Sequence, residues 1–469
     1  NILIIKMFMQ KILFQKTAII LLFLTLFLVS GFGCKGTVTK EEQKAIKSTT
    51  LEYWTVYDDV GAINSAVEKF RLYRPYATIN VRQYKPEEIY ERLVEALAED
   101  KGPDIISVPV RQLPFYRSKL ATMPSSVVDG IVETRKTVTG GTETTISLRT
   151  VVMPNALSID REFFQTVKKD AVVDDDVYGL PLSLDSLVIY YNKDILDRSG
   201  VPEPPKNWIE FQEAVRKTTK FNKETGNLVQ SGAALGSAKN INNFDDIFYV
   251  LLKQSGVTLG QGGFVWSGVK NENPLYNVLD FYTDFANPTR DTYTWDEQQE
   301  MALDRFIKGG VAFFFGYNYH YNLIKAQGAN LNFDVLPLIQ LNPENPVNVT
   351  NYSLQCVVSK SKNQELAWNF INYLANQNVK DYLDKTKRPT AKRAFLAEQR
   401  LDSDLEPFVK DLLIAENWYR GNNYEAAKTS LESLYKEWIN LPSDEKEQTV
   451  NRQKEEIVNR ANTKINQTY

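Results

Sequence analysis

The sequence predicts an α/β protein of two lobes, each built on a mostly parallel sheet flanked by helices and joined to the other by crossover strands. The chain has 469 residues, which is too long for one ordinary hydrophobic core. Strand and helix patterns alternate over residues 51–108, as they do in parallel sheets. A nearly continuous apolar run at residues 184–191 then predicts a strand that is buried on both faces and leads into the second lobe.

The first 33 residues have the composition of an export signal. Three lysines precede an apolar run from Thr17 to Phe32, which is short for a helix that spans a membrane. Cys34 follows Gly33 after that run, and this junction resembles a bacterial lipoprotein signal, in which cleavage exposes the cysteine for lipidation. The competing interpretation is an uncleaved anchor with an incidental cysteine. In either case residues 34–48 form a polar tether, and the folded part lies outside the cytoplasmic membrane.

Polar and aromatic side chains stand near the end of the first predicted strand. This strand covers residues 51–57, with Trp54 near its end and Asp58 directly after it. Ligands of open α/β sheets bind at the carboxyl ends of the strands, so both side chains are candidate ligand contacts. Amphipathic helix patterns separate this strand from the next two, which are predicted at residues 77–84 and 105–108.

Two further segments set the predicted limits of the lobes. Residues 125–155 are rich in Thr, Val and Gly and alternate in hydrophobicity, which predicts an added β-hairpin before the crossover. Residues 333–338 are predicted to cross back to the first lobe. The first lobe is therefore predicted to comprise residues 49–185 with about 337–375, and the second lobe residues 186–336 with about 376–469.

Six segments occur in the order found in one protein family. They are LEYWTVYDD, EIYERLVEALAEDKGPDII, YGLPLSLDSLVIYYNKDIL, PPKNWIEFQEAVRK, MALDRFIKGGVAFFFGYN and NYSLQCVVSKSKNQELAWNFINYL. Together they resemble the extracellular solute-binding proteins of ABC importers, the maltose-binding-like sugar family, over roughly residues 51–393. The resemblance implies the two-lobed periplasmic-binding-protein fold, a carbohydrate ligand between the lobes, and the permease subunits of an importer as partners.

The strand-end argument and the resemblance select overlapping ligand-binding candidates. Asp185 leads them, because a carboxylate at the entrance to an apolar strand costs free energy unless it is paired, exposed or used by a ligand. Trp54 is predicted equally well as a core residue, and Asp104 better as a cap of backbone amides. Tyr352 and Trp418 are included because the family often supplies aromatic residues from the corresponding segments. The full set is Trp54, Asp58, Asp104, Asp185, Tyr317, Tyr352 and Trp418.

Composition argues against several other functions. A net charge of −3 gives no basic field for nucleic acid. Aromatic residues make up 12% of the chain, and their rings pack well on the C–H faces of sugars. His320 is the single histidine, so a zinc site would need carboxylates for nearly all its ligands. No phosphate loop or zinc motif occurs, and neither a metal nor a cofactor is expected.

Together with these patterns, the resemblance implies a monomeric receptor that is anchored to the cell membrane as a lipoprotein, captures an oligosaccharide and delivers it to an importer. Two alternatives stay open. A glycoside hydrolase needs two carboxylates, which Asp58, Asp59 and Asp185 could supply. A lipid-anchored, glycan-binding adhesin would share the anchor and the aromatic residues. It would not need two lobes joined by crossovers, which serve closure around a small ligand.

Overall fold

The computed structural model describes residues 38–86, 88–138, 140–266, 273–442 and 447–469. The predicted signal at residues 1–33 and the predicted lipidation site at Cys34 lie outside the described residues. Within the described ranges, none of the helices combines the length and the hydropathy needed to cross a membrane. The chain divides into a smaller compact unit, which contains Gly130–Arg149 and the described residues up to Lys47, and a larger one, which contains Ser48–Asp129 and Thr150–Tyr469.

Strands and helices alternate through the described chain. In chain order the strands are β1 (Thr49–Thr55), β2 (Ala77–Gln83), β3 (Ile105–Pro109), β4 (Leu120–Ala121), β5 (Ser126–Lys136), β6 (Thr142–Val152), β7 (Val172–Val173), β8 (Asp176–Val177), β9 (Leu180–Pro181), β10 (Asp185–Ser186), β11 (Val188–Asn192), β12 (Lys220–Phe221), β13 (Leu228–Ala233), β14 (Val257–Gly260), β15 (Gly263–Trp266), β16 (Val311–Gly316), β17 (Phe333–Pro337), β18 (Asn348–Asn351), β19 (Ser353–Val358) and β20 (Ala415–Glu416). The α-helices are α1 (Lys40–Ala45), α2 (Val60–Arg71), α3 (Ile89–Ala98), α4 (Leu113–Tyr116), α5 (Ala156–Glu162), α6 (Gln165–Ala171), α7 (Lys193–Arg198), α8 (Trp208–Thr218), α9 (Phe244–Gln254), α10 (Pro274–Asp284), α11 (Ala302–Ile307), α12 (Asn318–Gln327), α13 (Gln364–Asn372), α14 (Val379–Thr386), α15 (Arg393–Gln399), α16 (Glu406–Val409), α17 (Tyr424–Ile439) and α18 (Glu447–Asn466).

The smaller unit contains a short helix and most of a hairpin. The Thr39 hydroxyl accepts a hydrogen bond from the Glu42 amide, and the Glu42 carboxylate accepts one from the Thr39 amide. This reciprocal cap explains why α1 forms inside the polar segment that was predicted as a tether. Strands β5 and β6 pair with each other, which confirms the predicted hairpin. A Cβ atom at Gly130 would lie 2.9 Å from Ile46 Cγ2, so the glycine lets the hairpin approach the end of α1 closely.

The first lobe lies within the larger unit and is built on a sheet of strand order β2-β1-β3-β19-β4, with β9 paired to β19. Its core residues run from Leu51 to Leu184 and from Tyr352 to Leu412. The prediction ended this lobe at about residue 375, but α14 and α15 also pack into its core. The reason is that α14 buries four side chains, including Tyr382 and Leu383, although its sequence is as polar as a surface helix.

The second lobe is built on a sheet of strand order β12-β13-β16-β11-β17. Its core residues run from Leu187 to Val349 and from Trp418 to Ile465, together with Phe408. Residues 333–338, predicted to cross between the lobes, instead contribute β17, which pairs with β11 at the edge of this sheet. The alternating side chains of an edge strand and of a crossing strand give the same sequence pattern, so hydrophobicity alone could not separate the two.

Antiparallel pairs outnumber parallel pairs in both sheets, which corrects the prediction of mostly parallel sheets. β1 is parallel to β2 and β3, and β13 is parallel to β16. In contrast, β19 is antiparallel to β3, and β11 is antiparallel to β16. Both β19 and β11 enter their lobes directly after a strand that lies between the lobes. They therefore run away from that boundary, whereas β3 and β16 run toward it.

The two lobes are joined by three crossings of the chain, as the predicted lobe limits imply, but the second and third lie near β18 and β20 rather than near residues 337 and 375. A small sheet of strand order β10-β18-β20 lies at these crossings. β10 leads into the second lobe, β18 leads back into the first, and β20 leads again into the second. Asp185 pairs with Asn351 in this sheet, and Asn348 pairs with Ala415. We call these three strands the hinge sheet.

Candidate functional site

A cavity lies between the two lobes at the edge of the hinge sheet. The first lobe, the hinge sheet and the second lobe all contribute to its lining, which is formed by Tyr57, Asp58, Ser183, Asp185, Tyr319, Asn351, Tyr352, Ser353 and Arg388. The cavity comprises about 410 Å³ of space between atoms, part of it open to solvent, and the centre of a water molecule can reach about 20 Å³ of it. That is room for about one water molecule, so the two lobes lie close together at this point.

Asp185 is a buried carboxyl group that faces this cavity. The residue is 4% exposed, and its backbone carbonyl accepts a hydrogen bond from the Thr350 hydroxyl at 2.8 Å. Within the part of the chain that the structure describes, its Oδ1 atom has no hydrogen-bond partner. Burial raises the pKa of Asp185 to about 6, against the opposing effects of the Arg388 guanidinium and the Tyr319 amide. An unsatisfied buried acceptor of this kind gains free energy from any donor that reaches it.

Two tyrosine rings from different lobes approach each other beside Asp185. Tyr57 follows β1 in the first lobe, and Tyr319 belongs to the first turn of α12 in the second. Their ring centroids are 6.1 Å apart, with 32° between the planes. Arg388 donates to the Tyr57 carbonyl at 2.6 Å, which brings a cation to the same place. The cavity therefore combines aromatic faces with a positively charged hydrogen-bond donor and negatively charged acceptors, as in many binding sites for small polar molecules.

Asp58 and Tyr352 also line the cavity, as the sequence predicted, and both are held by buried hydrogen bonds. One oxygen of Asp58 accepts from the hydroxyls of Thr55 and Ser107, each at 2.7 Å. The Tyr352 hydroxyl donates to Asp170 at 2.7 Å. These bonds fix the rotamers of both side chains, so the groups that face the cavity are positioned in advance.

Tyr317 and Trp418 lie in a neighbouring cluster rather than in the cavity lining. Both donate to the same buried carboxylate, Asp246 at the start of α9, with distances of 2.6 Å from the Tyr317 hydroxyl and 3.1 Å from the Trp418 indole. Arg111 of the first lobe also binds Asp246. Burial raises the pKa of Asp246, and Arg111 and the Tyr317 hydroxyl oppose that effect.

The remaining two candidates lie away from the cavity. Trp54 is 7% exposed and packs on Tyr84 with a centroid distance of 4.7 Å. It therefore belongs to the core of the first lobe, which is the alternative that the sequence predicts for it. Asp104 stands at the amino end of β3. Its carboxylate accepts from the Glu52 amide at 2.9 Å and from the Ser361 hydroxyl at 2.5 Å, which makes it a cap of backbone and side-chain donors.

Several residues of the cavity and of the neighbouring cluster around Asp246 are not among the predicted candidates. Tyr57 is the neighbour of Asp58, and the strand-end argument would have selected it. Arg388 was missed because its segment was assigned to the second lobe. Asp245 and Asp246 carried a signal in the sequence, since two adjacent carboxylates at the head of an apolar helix must find a cation or donors if the helix is buried.

Burial keeps the His320 imidazole and the Cys356 thiol in their uncharged forms. Burial lowers the pKa of His320 to about 3, and its Nδ1 atom accepts a hydrogen bond from the Tyr317 amide at 2.9 Å. Burial also raises the pKa of the Cys356 thiol, which favours its unreactive protonated form. Among the described residues, no group of three or more His, Cys, Asp or Glu side chains is placed to hold a metal ion.

Comparison with known proteins gives consistent matches. The family model described as bacterial extracellular solute-binding protein matches residues 66–405. A binding protein of Brucella abortus (strain 2308) is 24% identical over 54% of this chain, and the matched region spans only 58% of that relative. The galactooligosaccharide-binding protein of Bacillus subtilis is 22% identical, with 76% of each chain covered. A solute-binding protein of an ABC transporter from Thermotoga lettingae, bound with α-D-tagatose, superposes with a TM-score of 0.66 at 17% identity, over 90% of this chain and 100% of that one.

Proposed function

Because this chain belongs to the family of bacterial extracellular solute-binding proteins, we propose that it captures a neutral carbohydrate between its two lobes and delivers it to an ABC importer. The observation that carries this proposal is the Asp185 carboxyl group, buried at the hinge sheet with an unpartnered Oδ1 atom. A sugar hydroxyl is a donor of the right size and polarity for such an acceptor. The Bacillus relative is named for galactooligosaccharides, and the Thermotoga protein holds a ketose.

The charges of the cavity favour a neutral solute over an acidic one. Asp58 and Asp185 supply two carboxyl groups, and Arg388 supplies one guanidinium. A uronic acid would bring another negative charge next to the two carboxyl groups and would have to compete with them for Arg388. Tyr57 and Tyr319 offer ring faces to the apolar side of a pyranose.

Isothermal titration calorimetry with galactooligosaccharides, D-tagatose and an oligogalacturonide tests the proposal. We expect one of the two neutral solutes to bind and the acidic one not to bind. Asp185→Ala should weaken the binding of the neutral solute by roughly 10- to 100-fold, since a hydrogen bond to a charged group contributes about 1.5–3 kcal/mol. Unchanged binding in this variant would mean that the solute binds somewhere other than this cavity.

The chain is proposed to bind its solute without altering it. Asp58 holds three donors on one oxygen, including the Gln355 amide at 3.3 Å, which suits a positioned acceptor better than a nucleophile. Incubation of the purified protein with the bound oligosaccharide for hours should return it unchanged by chromatography. Product that disappears in Asp58→Asn or Asp185→Asn would reassign the protein as a glycoside hydrolase.

The membrane anchor is part of the same proposal. The resemblance of residues 1–33 to a lipoprotein signal supports lipidation at Cys34, and the tether would hold the two lobes near an importer in the same membrane. An adhesin would share the anchor. It would gain nothing from a ligand cavity that is enclosed between lobes, because a surface glycan must be reached from outside.

A further inference from the structure

The hairpin of β5 and β6 has no role in the proposed capture of a solute. Strand β6 pairs with β5 on one side, and within the described ranges no other strand lies beside it. Most of its side chains are exposed, on both faces of the hairpin. β6 contains neither lysine nor proline, the residues that commonly protect an edge strand from pairing with another chain. A hairpin of two strands is marginally stable by itself, so a further strand at this edge would stabilise it.

The contacts inside the hairpin show which backbone groups of β6 point away from β5. The Thr137 amide donates to the Gly141 carbonyl at 2.8 Å beside the turn, so the odd-numbered residues that follow direct their backbone groups toward β5. Thr134 and Thr144 face each other, with their hydroxyl oxygens 3.4 Å apart, as at positions without backbone hydrogen bonds between the strands. The even-numbered residues of β6 therefore direct their N–H and C=O groups outward, along the open edge of the hairpin.

The charges on β6 are complementary when two copies of this strand pair antiparallel about Ile146. The even-numbered residues then exchange the backbone hydrogen bonds, and Ile146 lies opposite its own copy. Glu143 lies opposite Arg149 on each side of the two-fold axis, at the positions where facing side chains come closest. Both side chains are exposed. A centre shifted by one residue in either direction places neither charge opposite the other. Arg149 also has an interaction within its own chain, which a guanidinium with several N–H donors can keep.

We propose that two copies of this chain associate through β6 and form a four-stranded antiparallel sheet from their two hairpins. The proposal departs from the monomer that the sequence predicts. A pair of strands is a small interface beside those of stable dimers, so the association is weak in dilute solution. Copies held to the same membrane by the predicted anchor meet at a higher effective concentration. The contact uses none of the residues that line the cavity, so the proposal is independent of the solute.

Cysteine cross-linking in intact cells tests both the pairing and its register. Thr145 and Ser147 lie opposite each other across the proposed axis, with Cα atoms about 4.5 Å apart, within reach of a disulfide. Two full-length forms with different tags, one carrying Thr145→Cys and the other Ser147→Cys, are produced in the same cells. We expect copper phenanthroline to give a disulfide-linked dimer that carries both tags, at a yield several-fold above that of either form alone. In a single form the two cysteines are diagonal neighbours about 7–8 Å apart, which is too far for a disulfide.

Charge reversal tests the pair of Glu143 and Arg149. Glu143→Arg in both tagged forms should lower the yield of the mixed dimer roughly ten-fold or more, because two pairs of opposite charge become two pairs of like charge. Adding Arg149→Glu should restore the yield, which a variant with an unfolded hairpin would not do. Glu133→Arg is the matched control. Glu133 is bound to Arg135 on β5, away from the open edge of β6, so this variant should cross-link like the protein with Glu133 intact.

The chain without Thr145→Cys and Ser147→Cys gives the background from its natural cysteines. A mixed dimer no more abundant than the dimers of the single forms would overturn the proposal, and so would a yield that does not respond to Glu143→Arg. Cross-linking to a protein of another mass would also overturn it, because the open edge of β6 would then bind a different partner. Glu143→Arg should leave saccharide affinity unchanged, so failure of the dimer would not affect the proposed carbohydrate binding.

Discussion

The substitution Asp185→Asn should stabilise the folded protein while weakening its ligand binding. The asparagine has nearly the shape of aspartate but carries no charge, so it removes the cost of burying a carboxylate at the hinge. Folding raises the pKa of Asp185 from 3.8 to about 6. A difference of this size corresponds to about 3 kcal/mol at pH 7, and it already includes the attraction of Arg388.

The gain in stability has a defined pH dependence. The folded state holds the Asp185 proton more tightly than the unfolded state does, so the wild-type protein loses stability as the pH rises from about 4 to about 6 and loses no more above that range. The free energy of unfolding of Asp185→Asn should therefore exceed that of the wild-type protein by about 1 kcal/mol at pH 4.5 and by about 3 kcal/mol at pH 7. For a chain of this length, the larger value corresponds to a rise in Tm of about 2–4 °C.

Thermal unfolding at the two pH values, with titration of a bound neutral saccharide at pH 7, measures both effects. Affinity should fall about ten-fold, since a neutral acceptor replaces a charged one. Asp291→Asn is the control, because the Asp291 side chain is 76% exposed beside Arg216 and should change Tm and affinity little. A lower Tm for Asp185→Asn at pH 7, or an advantage that does not shrink in acid, would refute the assignment of Asp185 as an unsatisfied buried carboxyl group.

Three further predictions concern other parts of the chain. Cys34→Ser should abolish incorporation of labelled palmitate and leave a precursor that is not processed at this site; normal labelling would exclude the lipoprotein signal. Asp104→Ala should lower the free energy of unfolding by about 2–4 kcal/mol, because the Glu52 amide and the Ser361 hydroxyl lose their acceptor, yet leave saccharide affinity unchanged; weaker binding in a folded variant would return Asp104 to the ligand site. Purified protein should leave its saccharide intact, and hydrolysis that depends on Asp58 would contradict the assignment as a binder.

Much of the first lobe could be predicted from local patterns. The strand and helix patterns between residues 51 and 108 have different periods and are separated by clear turn residues. The predicted bounds of β1, α2, β2 and β3 therefore lie close to the observed ones. The six segments that resemble the solute-binding family carried the family assignment, which the family model over residues 66–405 confirms. The hairpin of β5 and β6 followed from its alternation.

The crossings after residue 333 could not be predicted in the same way. Whether a strand lies at the edge of one sheet or connects two lobes depends on its partners, and β17 and β18 have similar apolar alternation in the sequence. The later return through β20 involves two residues, which is too short for any periodicity. The predicted limit at about residue 375 assigns Arg388 to the second lobe, although the residues around it belong to the core of the first.

The candidate site shows the same limit at the level of side chains. Asp185 stood out because a carboxylate in an apolar run is costly, and it does face the cavity. Asp104 is also a carboxylate next to a predicted strand. It lies at the amino end of β3 rather than at the carboxyl end, where ligands bind, and a backbone amide donates to it there. Arg111 could not be identified, because its partners Asp245 and Asp246 are more than 130 residues away.

A carbohydrate is proposed to bind between the lobes at Asp185, and a crystal structure of the protein with a saccharide shown to bind by calorimetry would locate it. We expect a sugar ring between the lobes, with one hydroxyl within hydrogen-bond distance of Asp185 Oδ1 and the ring near Tyr57 or Tyr319. A sugar bound on the outer surface of one lobe, with Asp185 Oδ1 still without a donor, would contradict it.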